Sequence, residues 1–309
     1  MYNQTRIIKT LLLVIVTQIL IFLTYYLYNK TQIKNSFLYN LPQKISKIKV
    51  RTVLPISNEF SYIKIVDNSA IQDKVVNIKK IAPKSSEDII PIDNQKVKPI
   101  LYTNSVEFSS LTIKEKKQKF IDMMVPSILV AKHQLKCDQD RVAKIIVQGY
   151  ISQQDREWLI KKRKEFKALN NYELYSKMEG HPTSIIIAQA IIESGWGTSK
   201  FFQKANNIFG VWSFSKKDNR MSASKKRGKR TIYLKKYNSM EESIYDYLLT
   251  LSSGDYESFR EKRLITKDPY KLVNYLIKYS EDGKKYTKSL KNMIKNNKLI
   301  VYDSYKLDI

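Results

Sequence analysis

Glu193 lies within the run Ala190-Ile191-Ile192-Glu193-Ser194-Gly195-Trp196-Gly197, where an acid stands between an apolar segment and two glycines. If that segment is a buried helix, low dielectric and the negative end of the helix dipole both disfavour the carboxylate, so its pKa rises. A carboxyl group kept protonated near neutrality can act as a general acid, the task of a glycosidase's proton donor. Gln189 lies one turn back on the same face, within reach of the acid or of a sugar. Trp196, Phe209 and Trp212 could stack on sugar rings, or could fill a core as aromatics at such spacing commonly do. A second reading of Glu193 also stands, in which it turns outward and pairs with a lysine.

The elements that must position these residues are mostly helical. Pro182 and Thr183 open a helix over Ile185 to Ile192 that is apolar in almost every direction, the mark of a buried helix. Gly195 and Gly197 end it. Capping boxes at Thr112/Glu115, Ser152/Asp155 and Ser239/Glu242 predict three more helices, the first kinked at Pro126. Asp268-Pro269 begins another through Tyr279, and a last one starts near Lys285. Between them Phe209 to Asn238 is non-helical: a basic loop, KKDNRMSASKKRGKR, precedes a strand over Arg230 to Tyr237 that carries Tyr233. Asn206 and Asn207 form the turn that positions Phe209 and Trp212, and Asn207 and Tyr233 join the sugar-contacting set.

With 55 Lys and Arg against 29 Asp and Glu, the 309-residue chain carries a net charge of +26. Such an excess suits an anionic partner, and biased composition with a solvated surface accounts for it equally well. Cys137 is the single cysteine, which excludes an internal disulfide, and with only His133 and His181 besides there is no ligand cluster. No metal or other cofactor is expected. Residues 10–28 are uncharged and approach the ~30 Å thickness of a bilayer core, which predicts a transmembrane anchor after the 1–9 tail, uncleaved because no small-x-small site follows. Residues 29–109, with prolines at intervals, read as an extended stalk with short strands possible around Tyr62 to Val66.

The block from Ala188 to Gly197, with Phe201 and Ala205-Asn206-Asn207-Ile208-Phe209-Gly210, resembles the peptidoglycan-hydrolysing glucosaminidases of glycoside hydrolase family 73. Val211-Trp212-Ser213-Phe214 and the expected N-terminal anchor look most like the bacterial Bax proteins within it. The resemblance extends over 110–309. It implies a mainly α, lysozyme-like helical domain with a small β-lobe that cleaves the bond from N-acetylglucosamine to N-acetylmuramic acid. Carried over by position, it assigns the acid to Glu193 and a functional tyrosine to Tyr279, in the segment Tyr279-Ser280-Glu281-Asp282 with Tyr286.

One departure stands out. Many members place a second carboxylate in the β-lobe, where Ser222 to Leu234 hold no Asp or Glu; Asp218 comes too early, and Glu241 and Glu242 belong to a helix cap. Without that base or nucleophile, assistance by the substrate's own N-acetyl group is one route, Glu193 serving as acid with Tyr279 supporting the charge. The expectation is therefore a single-pass, inner-membrane-anchored peptidoglycan glucosaminidase acting outside the cytoplasm, with glycan strands and the membrane as partners and no nucleic acid. A muramidase or lytic transglycosylase, and a non-catalytic wall-binding protein, are the alternatives.

Overall fold

A computed structural model describes residues 77–309 except 149, 228 and 229. The order begins with short strands β1 (Lys79–Ile81), β2 (Lys96–Val97) and β3 (Ile100–Tyr102). Helices α1 (Ile113–Gln148), α2 (Gln153–Glu165), α3 (Asn171–Lys177), α4 (Thr183–Ser194) and α5 (Lys200–Ala205) follow. An antiparallel hairpin, β4 (Arg220–Arg227) and β5 (Arg230–Lys235), interrupts them. The chain ends with α6 (Met240–Ser253), α7 (Glu257–Ile265), α8 (Pro269–Leu272), α9 (Lys284–Asn296) and β6 (Lys306–Leu307). The described residues are thus mainly helical with a small β-lobe.

The anchor expected over 10–28, and the strands around Tyr62 to Val66, lie outside the described residues. Among the described residues no helix is long and apolar enough to cross a membrane. The longest, α1, has 36 residues, yet its continuous buried stretch runs only from Phe120 to Ala131 and serves the core of the domain. The reading as a single-pass protein of the inner membrane, with the membrane as a partner, is corrected accordingly: what stands is the helical domain and its β-lobe.

Part of the segment read as stalk is packed. β1 pairs in parallel with β3, and β2 pairs in parallel with the C-terminal β6, so the two ends of the described chain are stitched together. Ile89, Val97, Ile100, Tyr102, Val106 and Phe108 are all buried, and the Tyr102 hydroxyl accepts from the Ile90 amide at 3.0 Å. The compositional cues of an extended segment were real, since the strands are only two or three residues long, but alternate apolar side chains dock on the helices.

The predicted caps form. Thr112 and Glu115 make a reciprocal box at the start of α1, Ser152 accepts from Asp155 N–H, and Ser239 accepts from Glu242 N–H at 3.1 Å. Asp268 Oδ1 accepts from the amides of Tyr270 and Lys271, with Pro269 in the first turn. The helix begun there is shorter than predicted: it tightens to a 3₁₀ turn over Val273–Leu276 before Tyr279. Pro126 is accommodated inside α1, which continues through it.

Helix α4 is the central element. Every residue from Thr183 to Ile191 is buried, against α1, α9 and the 3₁₀ turn Leu299–Ser304. Its preceding residue, Pro182, offers no side-chain cap. The orphan donors are met from that distant turn instead, where Asp303 Oδ1 accepts from Ser184 N–H at 2.7 Å and Oδ2 from the Ser184 hydroxyl at 2.8 Å. A carboxylate there also complements the positive end of the helix dipole.

Candidate active site

Three successive left-handed residues end α4: Gly195 (φ 59°), Trp196 (φ 58°) and Gly197 (φ 79°). For Trp196 this conformation costs about 1–2 kcal/mol. Ser194 holds the reversal, its hydroxyl donating to Ala190 O at 2.6 Å and accepting from Gly197 N–H at 3.1 Å. A Cβ on Gly197 would meet Phe202, Phe108 and Phe120 at 3.0–3.2 Å, so the glycine lets the chain pass three rings rather than a ligand. The abrupt stop leaves Glu193, in the last turn, half-buried at the edge of the core.

Tyr286, from α9, donates its hydroxyl to Glu193 Oε1 at 2.9 Å. Two influences act on the acid: burial raises its pKa, and the tyrosine's hydrogen bond lowers it, with burial dominant. Among the described residues the partner of Glu193 is thus Tyr286 and not a lysine, and its carboxyl is biased toward the protonated form a general acid needs.

Behind it the hydrogen bonds continue. Gln189 Nε2 donates to the Tyr286 oxygen at 3.1 Å, the Tyr247 hydroxyl donates to Gln189 Oε1 at 2.6 Å, and His181 Nε2 lies 3.1 Å from the Tyr247 oxygen. Gln189 is wholly buried with both ends of its amide engaged, so it serves the acid through Tyr286 and does not reach a sugar. His181 is buried too, between the rings of Tyr247 and Phe259, and burial with the charges of Arg263, Lys132 and Lys267 holds it well below its ordinary pKa, hence neutral.

Tyr279, predicted as the functional tyrosine, stands one ring away from the acid. It stacks on Tyr286 with centroids 5.5 Å apart and planes 16° from parallel, and it also packs edgewise on Tyr247. Burial pushes its pKa well above the ordinary value, so it is a neutral phenol backing Tyr286. Phe209 is a core residue stacked on Tyr247 at 4.1 Å. Asn207 is buried, donating to Val211 O and Lys235 O and accepting from Val211 N–H, which uses its amide to hold the turn. Asn206 does the same with Thr103 O and Tyr237 O.

The remaining aromatics are nearer solvent. Trp212 is 41% exposed and Phe214 87%, their rings 6.1 Å apart, and Trp212 bridges to Leu234 of β5. Tyr233 is half-buried with the Arg220 guanidinium 4.0 Å from its ring. Trp196 packs edge-on to Phe120 under the Lys117 amine.

With this geometry in view, comparison with known proteins is decisive for the class. The family described as "Mannosyl-glycoprotein endo-beta-N-acetylglucosaminidase" (Glucosaminidase) matches residues 169–299. The chain carries a glucosaminidase-family glycoside hydrolase domain. Protein bax of Escherichia coli (strain K12) is 27% identical over 201 residues, covering 60% of this chain and 71% of that protein. The exo-glucosaminidase LytG of Bacillus subtilis (strain 168) is 60% identical over 38 residues, 12% of this chain and 13% of that one. Among solved structures, the catalytic domain of the autolysin Auto from Listeria monocytogenes is 21% identical, covering 50% of this chain and 98% of that one with a TM-score of 0.35.

In this glucosaminidase domain three carboxylates near the β-lobe are committed elsewhere. Asp218 accepts from the Ser213 hydroxyl at 2.8 Å, Asp246 takes Lys235 and Tyr237, and Glu242 accepts from the Asn238 amide as the cap predicted. Burial raises the pKa of Glu241 beside Glu242. The sequence reading missed His181 and Tyr247 as partners and placed Tyr286 second to Tyr279. The available signal was the spacing of Gln189 and Glu193, one helical turn apart, which lets one hydroxyl bridge them.

Proposed function

We propose that the glucosaminidase domain hydrolyses N-acetylglucosaminyl bonds of peptidoglycan, cleaving between N-acetylglucosamine and the next N-acetylmuramic acid, with Glu193 as general acid. The observation that carries this is the Glu193–Tyr286 pair. A carboxyl whose pKa is raised by burial has one oxygen held by a donor, so the other is left to protonate the leaving glycosidic oxygen. The family match supports the reaction class, and the exposed Trp212 and Phe214 supply faces on which sugar rings can stack.

The chemistry balances with one protein carboxyl. Glu193 gives its proton to the leaving oxygen while the carbonyl oxygen of the substrate's 2-acetamido group bonds to the anomeric carbon, forming an oxazolinium ion that keeps the amide proton. The Glu193 carboxylate then takes a proton from water as that water adds to the same carbon and opens the ring. Two displacements give net retention. The commitments of Asp218, Asp246 and Glu242 favour this route over a second protein carboxylate.

The test is digestion of purified peptidoglycan by the full-length protein, with mass spectrometry of the new ends. Reducing N-acetylglucosamine in the initial β-anomer is expected, and Glu193→Gln should lower the rate by about 10²–10⁴-fold. Reducing or anhydro-muramic acid ends would make the protein a muramidase or transglycosylase instead, and initial α-anomer would exclude assistance by the acetamide.

A further inference from the structure

The hydrogen bonds behind Glu193 form a single file: His181, Tyr247, Gln189, Tyr286, Glu193. Each tyrosine has one proton to give, and the glutamine offers an acceptor at one end and a donor at the other. The file therefore has only two consistent directions. In the forward direction His181 Nε2–H donates to Tyr247, Tyr247 to Gln189 Oε1, Gln189 Nε2–H to Tyr286, and Tyr286 to Glu193 Oε1. In reverse, a proton on Glu193 Oε1 points back into the file, the amide turns over, and His181 Nε2 becomes the final acceptor.

The two directions differ chemically at the acid. Forward, Oε1 is always an acceptor, so the acid's proton sits on Oε2 and is free to leave; once it has left, Tyr286 still donates to the carboxylate. Reversed, the proton is tied to Tyr286 and unavailable to a sugar. The far end decides the direction, and there only the imidazole has a choice. With Nε2 protonated, the other ring nitrogen is left bare, and His181 Nδ1 is indeed a buried atom without a hydrogen-bond partner.

We propose that His181 is a positioning residue that donates from Nε2 into this file, fixing Tyr286 as a donor to Glu193 Oε1 and confining the transferable proton to Oε2. The proposal rests on Glu193 being the acid, but its structural half can be read without substrate. His181 acts three side chains away from Glu193 and touches no part of a substrate.

The chain has two histidines, so selective ¹⁵N-histidine labelling of the full-length protein gives two imidazole patterns to assign, the half-buried His133 and the buried His181. The Nε2–H tautomer of His181 is expected near neutral pH, and an Nδ1–H tautomer overturns the proposal whatever the enzyme's activity. Kinetics supply a second arm. Tyr247→Phe removes the hydroxyl through which His181 acts and frees the Gln189 amide to turn its oxygen toward Tyr286, so it should lower kcat on peptidoglycan fragments about tenfold with KM within about twofold, because the acid is misdirected rather than the substrate lost. His181→Phe removes the acceptor of the reverse direction together with the forward donor, so Tyr247 still donates to Gln189 and kcat should fall less than in Tyr247→Phe. Wild-type kcat in Tyr247→Phe, or a larger loss of kcat in His181→Phe than in Tyr247→Phe, overturns it.

Discussion

Tyr286 and Glu193, 93 positions apart in the chain, meet across 2.9 Å, the hydroxyl of α9 donating to the carboxyl of α4. That hydrogen bond lowers the acid's pKa against the larger effect of burial. Removing it in Tyr286→Phe should therefore raise the pKa of Glu193 further. The active form is the protonated one, so the alkaline limb of the kcat profile should move to higher pH even as kcat falls. Movement of that limb to lower pH would contradict the assignment. The variant also strands the buried Gln189 amide, a loss of about 1–3 kcal/mol that a thermal melt would register.

Glu193 itself has a stability signature. Its folded-state pKa lies above the ordinary value of 4.5, so folding favours the protonated acid. The stabilisation is fully present below about 4.5 and is lost as pH rises through the folded-state pKa. At neutral pH the wild-type fold carries the cost of an acid poised for catalysis, and Glu193→Gln, which keeps an acceptor for Tyr286, is free of it. Its melting temperature should exceed that of wild type at pH 7, with the gap closing toward pH 4. A gap independent of pH would mean that the carboxyl is not strained by burial.

Much of this site is legible in the chain, and the parts that are not share a cause. An all-round apolar helix ending at Glu193-Ser194-Gly195 identifies a buried acid, because burial of a helix is a property of its own sequence. Which hydroxyl meets that acid is not: Tyr279 and Tyr286 both lie near the last helix, and tertiary packing decides that one stacks and the other donates. His181 stands just ahead of the helix that Pro182 and Thr183 open, and its contact with Tyr247 spans 66 positions. The strand β4 escaped for a local reason. Its Arg220-Met-Ser-Ala-Ser-Lys-Lys-Arg227 lacks β-branched and aromatic residues, and pairing with β5 overrides that propensity.

The packed strands ahead of α1 make a prediction about where the domain begins. A chain starting at residue 110 discards the buried Ile89, Val97, Ile100, Tyr102, Val106 and Phe108 and also leaves β6 without its partner. At about 1.5–3 kcal/mol for each buried side chain, the loss is of order 10 kcal/mol, as large as the whole stability of an ordinary domain. Chains starting at 77 and at 110 should therefore differ sharply: the first should give a cooperative melt, and the second should be unfolded or aggregated. A cooperative melt from both would show that the leading strands are dispensable.

The exposed pair Trp212 and Phe214 should act on binding and not on chemistry. They stand on the β-lobe side of the domain, in a loop that Asn207 ties to β5 through Lys235 O, and neither is among the hydrogen-bonded partners of Glu193. Stripping such faces removes contact that substrate and transition state share alike, which raises KM and leaves kcat in place. Trp212→Ala with Phe214→Ala should raise KM for glycan fragments by about tenfold, given roughly 0.5–1.5 kcal/mol for each aromatic face, with kcat within about twofold. Phe209→Ala is the contrast: Phe209 stacks on Tyr247, so the same deletion a few residues earlier in the chain should lower the melting temperature and kcat together. If the exposed pair lowered kcat at unchanged KM, the stacking faces would belong to the reacting centre and not to the binding surface beside it.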